Sequence, residues 1–362
     1  MTILKDRIAR LIAASGPMSI ADYMAACLFD PEAGYYTTRE PFGRTGDFIT
    51  APDVSQMFGE LVAVWLTMRW REAGSPANAV IAEIGPGRGT MMADMARIFC
   101  QLDPKMCASA QFALIEVSER LRQVQREALA SSGLEFQWYG GLDGLPDGPL
   151  FLVGNELFDA VPIRQFVKTT AGWRERCVGI DDDGALCIVA GLAGIDPALL
   201  PPDAADAPEG AIAEIAPARE ALMETVCARI AASGGAALFV DYGHLTPATG
   251  DTLQALRGHA YDDVLAHPGG ADLTSHVDFA ALATVAATHG LKTELTTQAQ
   301  FLLGLGLLER AGQLGAQMDD AGRDKIRDAV ERLAGPEQMG ELVKVLAVTA
   351  PARPESAARG AD

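Results

Sequence analysis

The chain has 362 residues, with 29 Lys and Arg against 48 Asp and Glu, a formal charge of −19. Phosphate contacts need clustered basic side chains, so this balance argues against a nucleic-acid or anionic-membrane binder. With 49% hydrophobic and 21% charged residues the chain is too apolar to stay disordered.

No uninterrupted apolar run reaches the roughly 18 residues of a membrane span. Six cysteines without CxxC spacing point to a reducing compartment and to buried or inert thiols. The N-terminus alternates charged and apolar residues like an amphipathic helix rather than a leader, so the expected location is cytoplasmic. The histidines are scattered and predict no metal site.

Apolar positions Ile3, Leu4, Ile8, Leu11 and Ile12 predict a helix over residues 3–14, stopped by Gly16-Pro17. Ser19 is then the N-cap of a short helix, Ile20–Leu28. Residues 30–52 are rich in Gly, Pro, Thr and Asp but carry Tyr35, Tyr36, Phe42 and Phe48, which predicts an ordered functional loop. Helix resumes over 54–72.

Strands are expected at 79–84, 110–116, 135–139 and 150–153, with helices at 90–101 and 119–131 between them. That alternation predicts parallel βαβ units and a doubly wound, Rossmann-like α/β sheet. Residues 163–190 read as β-hairpins inserted into this scheme, followed by an Ala/Pro/Asp-rich connection. A helix at 219–232, a strand at 236–241, helices near 277–289 and 321–334 and strands at 291–295 and 342–348 complete the pattern.

The most informative stretch runs Glu83-Ile84-Gly85-Pro86-Gly87-Arg88-Gly89-Thr90. It places a glycine turn between a strand and a helix, where the first crossover of a doubly wound sheet meets its ligand crevice. The spacing is GxGxG, not the GxGxxG of dinucleotide sites. Glu83 beside Gly85, Gly87 and Gly89 is awkward for a pyrophosphate and suits a cationic amino-acid moiety. Glu116, closing the second strand, can bind both hydroxyls of a ribose. Together these residues favour S-adenosyl-L-methionine over NAD, while tight packing of the turn and a solvated Glu116 compete as the plainer account.

The fourth strand ends in Asn155-Glu156 and continues to Asp159, an amide and two carboxylates within five residues. If the acceptor is a guanidinium, carboxylates are the right partners. Arginine does not readily lose its proton, so its charge must be localised by bidentate hydrogen bonds. Glu156 is the first candidate and Asp159 the second, with Asn155 holding an amine or the cofactor. Capping of a helix by Asn155 and Glu156 is the competing reading.

These stretches resemble the MidA family, the bacterial and mitochondrial relatives of complex I assembly factor seven. The resemblance is carried by Arg44–Pro52, Ser55–Glu60, Glu83–Gly89, Gly154–Pro162, Val240–Gly243, Gly250–Gln254 and Asp272–Phe279. It implies a seven-stranded class I methyltransferase core with an N-terminal helical cap and insertions, using S-adenosyl-L-methionine. It further implies a protein arginine as acceptor, in mitochondrial members in the complex I subunit near the quinone site.

The expected organisation is a cap and active-site loop at 1–75 and a core at 76–162 and 211–350. A hairpin insertion at 163–210, further insertions at 245–275 and 296–320 and a tail at 351–362 complete it. Within this frame Asp47 and Thr50 would reach the cofactor, and Ser55 and Gln56 would shape the acceptor channel under a loop that excludes water. Tyr242 would pack on the acceptor. His276 is a lesser site candidate, since Thr274 or Ser275 with Asp278 also reads as a helix-start box. A non-catalytic assembly module, an NAD oxidoreductase and a small-molecule methyltransferase stay open as alternatives.

Overall fold

The computed structural model describes residues 3–38 and 50–351, and two compact units make up the chain. One contains residues 51–155, 223–240 and 282–362; the other contains 1–50, 156–222 and 241–281.

The first unit is built on a seven-stranded sheet. In spatial order its strands are Lys292–Thr297, Val343–Thr349, Gly235–His244, Leu150–Asn155, Val80–Ile84, Gln111–Ile115 and Phe136–Tyr139. The last five pair in parallel, and Lys292–Thr297 runs antiparallel to Val343–Thr349. All five residues of Val80–Ile84 are buried, as expected of a central parallel strand covered on both faces. From this strand the chain proceeds outward to Gln111–Ile115 and Phe136–Tyr139, then returns to Leu150–Asn155 on the other flank. The carboxyl ends of Val80–Ile84 and Leu150–Asn155 therefore meet at the topological switch point, where α/β sheets bind ligands.

Helices Gln56–Glu72 and Thr90–Leu102 pack closely because residue 59 is glycine: a Cβ there would lie 2.7 Å from the Asp94 Cβ and 3.1 Å from the Met91 carbonyl. Glu60, buried beside this contact, is held by Arg97 at 2.8 Å and Arg310 at 2.6 Å.

The expected thiol chemistry is corrected in one place. Cys100 and Cys107 form a disulfide, Cα to Cα 5.5 Å. The corner at Asp103, whose side chain caps helix Pro104–Ser109, turns that helix back and brings the two sulfurs together. Cys27, Cys177 and Cys227 are buried free thiols.

The second unit contains a five-stranded sheet in which Gly172–Ile180 pairs antiparallel with Arg164–Thr169, Leu186–Gly194 and Met18–Ser19, and Ile212–Ile215 extends the other side of Arg164–Thr169. The hairpins read at 163–190 are thus present. A three-stranded antiparallel sheet, Gln254–Arg257 between Ala260–Asp262 and Asp272–Thr274, lies in the segment expected as an insertion at 245–275. The core of this unit joins Leu4, Ile8 and Ile12 of the first helix to Tyr23, Met24 and Cys27 of the second, with Tyr35, Ile163, Val178 and Leu273. Ser19 caps helix Ile20–Phe29 by accepting the Asp22 N–H at 3.0 Å.

Candidate active site

The glycine turn follows directly on Val80–Ile84. Gly85, Gly87 and Gly89 have φ of +66°, +52° and +81°, a left-handed region open to glycine at little cost, so the main chain can double back without side chains in the crevice. Helix Thr90–Leu102 then starts at an N-terminus with no side-chain cap. Glu83 is buried beneath the turn, with the Met92 N–H directed at its carboxylate and its Oε2 without a partner. Burial pushes its carboxyl well above the usual carboxylate range. A cationic group delivered to that oxygen would relieve the penalty.

Glu116, just past Gln111–Ile115, is buried and preorganised. Its Oε1 accepts the Ser118 N–H at 2.8 Å and its Oε2 accepts from the Gln125 amide at 3.3 Å. Burial raises this carboxyl too, against the pull of those donors. Gln125 also donates to the Gly87 carbonyl at 2.7 Å and accepts from the Trp138 indole at 2.8 Å, so one fully buried amide couples the turn to the second strand end. The next residue, Val117, is 81% exposed, an apolar surface beside the carboxylate. Arg88 of the turn pairs with Asp53 at 2.9 Å, tying the short helix Ala51–Val54 to it.

Gln125, Val117 and the Arg88–Asp53 pair were not singled out from sequence. Gln125 had a signal: it occupies the i+4 position between Leu121 and Leu129 on the buried stripe of its helix.

The other candidate residues fall as follows. Asn155 ends its strand opposite Val240. The chain then enters a loop rather than a helix, which corrects the capping reading of Asn155 and Glu156: Arg164–Thr169 is the next regular element, because backbone N–H groups of the loop bond a carboxylate distant in sequence instead of carbonyls one helical turn away. That carboxylate is Asp241, whose Oδ2 accepts from Leu157, Phe158 and Asp159 at 3.0, 2.7 and 3.2 Å. Glu156 is half-buried with φ +48°.

Asp159 is buried and its carboxyl is pushed up to about 6 by burial, with Arg219 pulling the other way. Burial, then the nearby Asp159 and Glu156 charges, push Asp241 well above the usual range. Tyr242 is half-buried and gives its N–H to Asp241. His276 is half-buried; its N–H donates to Thr252 Oγ1 at 2.9 Å and its carbonyl accepts from Arg219. The helix-start box moves accordingly: Asp278 alone caps helix Phe279–Thr288, accepting the Ala281 N–H.

Ser55 is the N-cap of Gln56–Glu72, accepting the Met57 N–H at 3.2 Å, and the Gln56 amide donates to Glu60 at 3.2 Å. Thr50 is half-buried just before helix Ala51–Val54. Asp47 lies outside the described residues. Among the described residues no cluster of His, Cys, Asp and Glu has the arrangement of a metal site, and no helix is long and apolar enough to cross a membrane.

Comparison with known proteins places this arrangement in context. The model of a family described as S-adenosyl-L-methionine-dependent methyltransferases matches residues 61–297. The chain is 36% identical to a protein of Danio rerio named protein arginine methyltransferase NDUFAF7, mitochondrial, over 97% of this chain and 88% of that one. It is 34% identical to the Homo sapiens protein of the same name, over 93% and 81%. A protein from Burkholderia thailandensis solved bound to S-adenosyl-homocysteine superposes with a TM-score of 0.81 at 30% identity, covering 99% of this chain and 95% of that one.

The expectation of a cytoplasmic chain is corrected by the mitochondrial names of these full-length relatives. Cysteine spacing and an amphipathic N-terminal helix, on which that expectation stands, do not distinguish the cytoplasm from the mitochondrion.

Proposed function

The chain belongs to the S-adenosyl-L-methionine-dependent methyltransferase family, and from that premise we propose that it methylates a guanidinium nitrogen of an arginine in a protein substrate, by family resemblance a complex I subunit. The observation that carries the acceptor class is similarity over nearly the whole chain to relatives named protein arginine methyltransferases, hairpin unit included.

The cradle fits the cofactor. The unpartnered Glu83 Oε2 suits the ammonium of its amino-acid part, the glycine turn permits close main-chain approach, and Glu116 suits the ribose diol. Val117 offers an apolar face to the base. When bound, the cofactor supplies a methyl on an electrophilic sulfonium, so the protein's task is alignment and charge placement.

On the acceptor side Glu156 grips the guanidinium, with Asp159 second and Asn155 orienting the group. Two carboxylates localise the positive charge away from the attacking nitrogen and hold it in line. Asp159, with its carboxyl raised to about 6, can take up the proton released when the methylated nitrogen forms. Tyr242 and His276 are the further candidates for the acceptor and Thr50 for the cofactor, while Ser55 and Gln56 act through the helix they begin.

The test is Glu156→Gln. Methyl transfer to complex I from cells lacking the protein is expected to fall by at least about 100-fold, with S-adenosyl-homocysteine affinity unchanged within about twofold. Full transfer by this variant, or an identical arginine-methyl inventory of complex I with and without the protein, overturns the reading.

A further inference from the structure

The loop from Glu156 to Ile163 is held by two buried side chains of opposite charge that lie far away in sequence. Asp241, which follows the apolar run Ala236–Val240 in strand Gly235–His244, gathers three consecutive N–H groups, those of Leu157, Phe158 and Asp159, on one oxygen, while its other oxygen takes the Tyr242 N–H at 2.8 Å. Arg219, on helix Pro217–Ser233, is 2% exposed. Its Nε donates to the Val161 carbonyl at 3.1 Å and its Nη2 to the Asp159 carbonyl at 3.1 Å. The same guanidinium reaches the Ser275 hydroxyl at 2.6 Å and the His276 carbonyl at 2.7 Å. An anion therefore takes the loop's donors and a cation takes its acceptors.

Glu156 stands immediately before the three donated N–H groups, with φ +48°. Among the described residues only Ser75 and His259 are other non-glycines at positive φ, and both are exposed and follow a glycine in surface turns. A side chain in this region costs on the order of 1 kcal/mol and persists only where the surroundings over-determine it. A loop serving only to connect two strands would have no use for a strained glutamate or for two buried charges, whose desolvation is costly.

We propose that Arg219 and Asp241 are positioning residues for methyl transfer: by fixing the 157–161 main chain they force Glu156 into its left-handed conformation and present its carboxylate ready-formed to the acceptor guanidinium. This rests on the reading of Glu156 as the acceptor's grip. It adds that the grip is set before the acceptor arrives, which removes an ordering step from the reaction.

The experiment compares Glu156→Gly with Glu156→Ala, each in the otherwise native chain and in an Arg219→Lys chain, which keeps the charge but loses the fork that reaches several carbonyls. In the native background the Gly variant is expected to melt about 2 °C above the Ala variant, because glycine relieves the left-handed strain. With Arg219→Lys that gap closes as the loop relaxes. Arg219→Lys alone is expected to lower kcat for complex I from cells lacking the protein about tenfold, leaving KM and S-adenosyl-homocysteine affinity within about twofold.

Asp241→Asn replaces Arg219→Lys if the latter does not fold, and the Gly–Ala order in the native background needs neither. An Ala variant as stable as the Gly variant overturns the inference, as does a gap unchanged by both clamp substitutions or an unaltered kcat. Full activity in Glu156→Gln would sink the acceptor reading while leaving the Gly–Ala order standing, so the two failures are distinguishable.

Discussion

The turn at Gly85–Gly89 and the loop beginning at Glu156 both follow parallel strands of one sheet, and both carry left-handed backbone, yet they reach it by opposite means. The turn uses glycine at each strained position, so its geometry is nearly free and locally encoded. The loop carries a carboxylate, that of Glu156, where its backbone is strained, and Asp241 and Arg219 hold the main chain beside it. A surface that meets its ligand with main chain can be written in one short motif. One that meets it with a strained side chain must be imposed by the tertiary structure.

The largest expected effect breaks the loop side of this contrast. Asp241→Ala orphans four N–H groups, two of them fully buried, and leaves Arg219 with less compensation, and should cost at least about 4 kcal/mol in chemical denaturation. A loss below about 1 kcal/mol would mean that the loop holds itself.

The pH dependence comes next. The folded Asp159 carboxyl, raised from 3.8 to about 6, keeps its proton over a window in which the unfolded chain has lost it. Its contribution to stability is therefore full below about pH 4 and fades as pH rises through about 6. Asp159→Asn removes this slope, so its stability relative to the native chain should rise by about 2 kcal/mol between roughly pH 4 and pH 7. Parallel stability curves for the two proteins would show that Asp159 does not titrate in this range.

On the turn side, Gly89→Val places a branched side chain at φ +81° against Gln125, whose Cγ lies 3.4 Å from a Cβ built there. Calorimetry should find S-adenosyl-homocysteine affinity lowered about 100-fold, roughly 2.7 kcal/mol. The smallest effect is expected for Gln125→Leu, which keeps the packing but frees Glu116 and the Gly87 carbonyl. About tenfold weaker binding is expected, and unchanged binding would show that the turn and Glu116 are held independently.

Much of the fold was legible. Strand–helix alternation marked the parallel strands to within three residues at either end, and the glycine turn marked the switch point. Where the reading failed, the competing force was not local. Asn155 and Glu156 have the composition of a helix start, but the N–H groups that would begin the helix go to Asp241, more than 80 residues away. The helix-start box at residues 274–278 misplaced the cap because Ser275 and His276 are engaged by Arg219. Arg219 itself left a trace: it shares the stripe of Met223, Val226 and Ile230, all buried, and a charge on such a stripe signals a buried partner without saying which.

The sequence by itself determined the doubly wound sheet and the position of the glycine turn at its switch point, because periodicity and glycine spacing act over a few residues. Only the tertiary structure decided that Gln125 couples that turn to Glu116, that Cys100 meets Cys107, and that Glu156 is held left-handed between an anion and a cation. Those depend on which distant groups share a buried, poorly solvated space, where an unmet donor or charge is costly enough to override local preference.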